Sequence, residues 1–76
     1  MGNTNKTVVT RRTSREGINF IFATDHEVMP DELDVLIGKY SERHLELTLP
    51  GDWLFVDLRT ATPEFRAVPK DYDPAL

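Results

Sequence analysis

One stretch of this chain carries a helical period, and it dictates the architecture. Leu33, Leu36, Ile37 and Tyr40 follow the i, i+3, i+4, i+7 spacing that lines one face of a helix. Pro30 is well placed near a helix start. Asp31, Glu32 and Asp34 sit in the first turn, where carboxylates favour the positive end of the dipole, and Lys39 and Arg43 suit the far end. The spacing predicts a helix over residues 31–43. Gly38 either weakens that helix by about 1 kcal/mol relative to Ala or lets a neighbour pack closely.

The segments around this helix read as strands. Residues 6–13 are rich in Thr and Val, and residues 18–24 read INFIFAT, aromatic and β-branched. Between them Ser14-Arg15-Glu16-Gly17 is a turn, with Gly17 free to take φ > 0, so the two form a hairpin. Its register stays open, because the loop can close with two or four residues. Beyond the helix, Leu45-Glu46-Leu47-Thr48-Leu49 alternates strictly, Pro50-Gly51-Asp52 turns, and residues 53–60 continue as a strand. This second hairpin points Leu45, Leu47, Leu49, Leu54, Val56 and Leu58 to one side, which the helix covers. After Thr60 the prolines at 63, 69 and 74 interrupt any ladder, which predicts an extended tail.

The expectation is an α+β fold of order ββαββ. It is a four-stranded antiparallel sheet with one helix packed on one face and an extended Pro-rich C-terminal tail. Residues 1–5 are read as a flexible N-terminus, 6–60 as a single domain and 61–76 as the tail.

With 76 residues and no cysteine, neither disulfides nor thiolate metal sites can brace the fold. A core of this size supplies on the order of 3–5 kcal/mol. The start lacks the apolar run of a signal peptide, and no stretch is long enough to cross a bilayer, so the expected location is cytoplasmic with no membrane partner.

Charge is unevenly spread. Lys6, Arg11, Arg12 and Arg15 against Glu16 alone give residues 1–24 a net +3, whereas the rest carries five bases against twelve acids. The whole is −4, which argues against nucleic acid as the main partner. Residues 25–34 hold Asp25, Glu27, Asp31, Glu32 and Asp34 and no lysine or arginine.

Catalytic patterns are missing. His26, flanked by Asp25 and Glu27, has no second histidine at helical spacing, so no metal is expected. His44 falls at the helix end, where an imidazolium complements the last carbonyls. Ser14 and Ser41 stand in no nucleophile context, and the isolated glycines form no phosphate loop. The expectation is no enzyme and no cofactor.

Surfaces carry the functional reading. If Leu54, Val56 and Leu58 face the helix, Trp53 and Phe55 face the other way, beside Thr48 and Arg59 and joined by Ile21 and Ala23 or by Phe20 and Phe22. Such an aromatic patch must be hidden by the tail through Phe65, Val68 and Tyr72, by a second copy, or by another protein. Trp53 and Phe55 would anchor a partner, and Asp25, Glu27, Asp31, Glu32 and Asp34 would steer the chain to a basic surface. The function expected is a non-catalytic regulatory or inhibitory module that binds another protein. Its sharpest form is a phage-type anti-defence inhibitor on a nucleic-acid-handling protein. The alternatives are a nucleic-acid binder using Lys6, Arg11, Arg12 and Arg15 along an edge, and a homodimer or larger assembly joined by the aromatic face.

Overall fold

The computed structural model describes residues 7–73. The N-terminal residues 1–5, Lys6 and Pro74 lie outside them. The elements run β1 (Val8–Thr13), β2 (Asn19–Thr24), α1 (Pro30–Leu47), β3 (Trp53–Asp57) and β4 (Glu64–Val68). The strands form one sheet in the order β1-β2-β3-β4, with α1 across one face.

The first hairpin closes through three residues. Ser14 donates its N–H to the Ile18 carbonyl at 2.7 Å, and Gly17 donates to the Ser14 carbonyl at 3.0 Å with φ +82°. The Ser14 hydroxyl accepts the N–H of Ile18 at 3.1 Å, which fixes the corner. Arg12 therefore lies opposite Phe20 and Arg11 opposite Ile21. Phe20 and Phe22 point to the helix, and Ile21 and Ala23 to the other side.

The second hairpin is not formed as the alternation of residues 45–49 suggests. α1 runs on through Leu47, with His44 extending the buried stripe of Leu33 and Tyr40 at i+4 from Tyr40, while Leu47 itself is exposed rather than in the core. Leu45 and Leu49 face solvent at 70% and 73% exposure instead of entering the core. The helix stops where Pro50 disfavours α geometry in the residue before it. Leu49 to Asp52 then makes a turn with Pro50 second and Gly51 third (φ +93°), closed by the Asp52 N–H on the Leu49 carbonyl. The helix carries the chain back to the end of the sheet where β2 began, so β3 pairs parallel to β2. The sheet is thus mixed rather than wholly antiparallel.

The fourth strand comes from the segment read as an extended tail. β4 pairs antiparallel with β3 over five residues, between Pro63 and Pro69. An edge position tolerates prolines on both flanks, since only one side of the strand needs partners.

Two apolar layers result. On the helix side, Phe20, Phe22, Leu33, Tyr40, Leu54 and Val56 are buried, with the Phe20 and Phe22 rings stacked at 5.3 Å. Each such side chain contributes about 1.5–3 kcal/mol through burial. On the opposite side Ile21, Ala23, Phe55 and Val68 form a smaller layer with Trp53 and Tyr72.

Candidate functional site

The acidic segment occupies the link from β2 into α1. Thr24 ends the strand and donates its hydroxyl to the His26 carbonyl at 2.5 Å, turning the chain. Met29 stands at the N-cap without a side-chain hydrogen bond, and Pro30 opens the helix. The side chains of Asp25, Glu27, Asp31, Glu32 and Asp34 are all exposed.

His26 ties part of this group together. Its Nδ1 lies 2.8 Å from Asp25 and its Nε2 3.1 Å from Glu32. The Asp25 hydrogen bond is the main cause that raises the His26 pKa above its usual value, and the same bond lowers that of Asp25. A doubly protonated ring satisfies both acids. Glu27, Asp31 and Asp34 make no ion pair among the described residues. Met29 and Val35 add exposed apolar surface, at 62% and 67%. No group of three or more His, Cys, Asp or Glu among the described residues is arranged to hold a metal ion.

The aromatic face of the sheet is occupied by the chain itself. Beyond β4 the chain turns at Pro69, whose carbonyl accepts the Tyr72 N–H at 3.0 Å, and Tyr72 lies edge-on to Phe55 at 5.8 Å. Arg66 spans both rings at 5.5 and 5.8 Å and donates to the Tyr72 hydroxyl at 3.0 Å. Arg11 donates to the Tyr72 carbonyl. Phe55 is left 5% exposed, whereas Trp53 at the rim stays half-buried. Of the neighbours expected here, Ile21, Ala23 and Val68 are present. Phe65 is on the helix side instead, edge-on to Tyr40 at 5.3 Å. Arg59 holds Asp57 through two hydrogen bonds of 2.9 and 2.7 Å, and these keep the Asp57 pKa below its usual value.

The arginines do not share one surface. Arg11 and Arg12 are consecutive on β1 and point to opposite faces, and Arg15 sits in the hairpin loop. Arg12 and Arg15 border an open groove of about 760 Å³ between β1 and α1, whose helix wall presents Ile37, Gly38 and Leu45. Asp34 and Glu16 also border it. A Cβ on Gly38 would meet nothing within 4 Å, so this glycine faces open space and no neighbour packs against it.

His44 departs from the role expected of it. It is 7% exposed, edge-on to Phe20 at 5.2 Å, with Nδ1 3.0 Å from the Thr48 hydroxyl. Its Nε2 is buried without a partner among the described residues. Burial lowers its pKa, so the ring is a neutral packing element rather than a cation at the helix end. Thr48 closes the helix instead, donating its hydroxyl and its N–H to the His44 carbonyl.

Sequence reasoning named the tail through Tyr72 as one of three covers for Phe55 without choosing among them, and missed the groove. The first lay in a segment without periodicity, and the second depends on where α1 sits over the sheet. Compared with protein-family models, with curated proteins and with solved structures, the chain finds no match.

Proposed function

We propose that the protein is a non-catalytic binding module that occupies a basic surface of a partner protein with its acidic end. The observation that carries this reading is the cluster of five exposed carboxylates at the β2–α1 junction. Three of them, Glu27, Asp31 and Asp34, have no cation of their own among the described residues. Such a cluster raises the local negative potential and speeds encounter with a basic site. Met29 and Val35 supply apolar contact beside it, in place of Phe55, which lies beneath Tyr72. Trp53 can contribute from its rim position.

The sharpest form is an inhibitor, such as a phage-encoded anti-defence protein, whose carboxylates stand where a nucleic-acid-handling protein expects phosphates. Small size and the exposed acids support this form.

The test is affinity capture from nuclease-treated lysate of the source cell, with the parent chain and with Glu27→Lys plus Asp31→Lys. Both positions are clear of the groove, which Asp34 borders. The expected result is a protein retained by the parent chain and lost by the variant. Equal retention by both chains would exclude the acidic end as the contact.

A further inference from the structure

We infer that the free edge of β1 and the groove beside it form a docking site for an extended acidic segment of a partner protein, added to the sheet as a fifth strand. This surface is separate from the acidic end.

The backbone comes first. The Ala23 carbonyl accepts the Leu58 N–H at 2.8 Å, so the polar backbone groups of Ala23 point to β3 and away from β1. Val9, opposite Ala23, therefore has no bond to β2 and points its own N–H and C=O outward. The 2.7 Å bond from Ser14 to Ile18 gives the same phase from the other end of the hairpin. By alternation Val9, Arg11 and Thr13 all present their backbone groups to the open edge. Among the described residues no backbone group takes them up.

The other edge is unlike this one. On β4 the same alternation turns only Phe65 and Ala67 outward, and Pro63 and Pro69 close both ends. β1 carries no proline and is otherwise solvated along its length.

Side chains define the occupant. A strand laid about 4.8 Å beyond β1 would alternate its side chains between the Tyr72 face and the groove. Those entering the groove meet Ile37, the open space at Gly38, and Leu45. Apolar residues there would cover Leu45, which is otherwise 70% exposed. Arg11 and Arg12 flank the edge on opposite faces, so two consecutive acidic residues in the added strand can each oppose an arginine. Opposite charges at such positions favour pairing by about threefold each. Asp34 and Glu16 also border the groove and disfavour acids beside them. The recognised pattern is thus alternating and apolar, with a central acidic pair.

A random-peptide library displayed against the full chain tests this, followed by NMR titration of the ¹⁵N-labelled chain with the enriched peptides. Enriched peptides should share adjacent acids within an alternating apolar frame, and should shift the amides of Val9, Arg11 and Thr13. Arg12→Glu leaves the Arg11–Tyr72 contact in place and should weaken binding about tenfold by replacing one attraction with a repulsion. Val9→Pro removes an outward N–H without breaking a bond to β2, and should weaken binding with no charge change. Glu27→Lys plus Asp31→Lys should leave peptide binding intact, so failure of the acidic-end reading is distinguishable from failure here. The inference is overturned by any of four results. These are an absence of enriched sequences, enrichment of basic ones, shifts confined to β4 or the acidic end, or peptide affinity unchanged in both edge variants. Protection of the edge amides by self-association without peptide would assign the edge to a second copy. Selective binding of a single-stranded oligonucleotide at Arg11 and Arg12 would assign it to nucleic acid.

Discussion

Tyr72 makes three kinds of contact at once: its ring meets Phe55, its hydroxyl accepts from Arg66, and its carbonyl accepts from Arg11. Removing the ring uncovers Phe55 and takes away the partner of Arg66, while the backbone carbonyl that accepts from Arg11 stays. Tyr72→Ala should cost about 1–2 kcal/mol, and Tyr72→Phe about 0.5–1, since only the hydroxyl bond is lost. Urea unfolding followed by Trp53 fluorescence measures both, and equal losses for the two variants would show that the ring contributes nothing. The histidines make an opposed pair. His26 has a raised pKa, so its contribution is fully present below the unfolded value of 6.5 and is lost as pH rises through the folded one. His44 has a lowered pKa, so stability is intact above 6.5 and falls as pH drops towards its folded value. His26→Ala should therefore flatten the alkaline side of the stability profile, and His44→Leu the acid side. Urea midpoints across about pH 5 to 8 read this out, and an unchanged acid limb in His44→Leu would place the responsible group elsewhere.

At the scale of elements, α1 carries the most informative substitutions. Gly38 sits inside the helix with open space where a Cβ would stand. Gly38→Ala should therefore stabilise the chain by about 1 kcal/mol through helix propensity, measured as a higher urea midpoint. Leu45 separates helix from strand at the position where they compete. In a strand Val would be preferred to Ala, whereas on an exposed helix face Ala is preferred by about 0.5 kcal/mol. Leu45→Ala should be more stable than Leu45→Val, and the reverse order would restore residues 45–49 to a strand. The legibility of the fold follows the same line. The first hairpin, the helix and β3 could be read because β-branched runs, a turn glycine and a 3.6 period each point to one structure. Residues 45–49 could not, because Leu45-Glu46-Leu47 alternates with the period of a strand although the helix leaves both leucines exposed, and His44 concealed the continuation of the buried stripe. β4 was hidden by its flanking prolines, which rule out a central strand but allow an edge. Of the candidate surfaces, the acidic segment was legible as an exposed charged stretch because its five carboxylates fall within residues 25–34, so local structure alone keeps them near one another. The cover of Phe55 was legible only as one of three alternatives, since choosing the tail depends on the chain returning across the sheet after β4.

For the molecule as a whole, the sheet order places the most buried segments at the centre. Phe20, Ile21, Phe22, Ala23, Leu54 and Val56 are fully buried, and all belong to β2 or β3. Within the sheet β1 pairs only with β2 and β4 only with β3, so each can separate while the central strands stay paired. Native-state hydrogen exchange should therefore resolve two levels. Amides bonded between β2 and β3 should exchange only through global unfolding, whose free energy is of order 5 kcal/mol for a chain of this size. Amides bonding β1 to β2, at Thr10 and Arg12, should exchange through a smaller opening with weaker denaturant dependence. A peptide held along the β1 edge would raise both levels by the same amount, because either opening releases it. A ligand at the acidic end should raise the global level alone and so widen the gap between the two, because it stays bound while β1 opens. The two binding readings thus have different signatures in one experiment, and a single exchange level for β1 and β2 without ligand would remove the local opening on which that contrast rests.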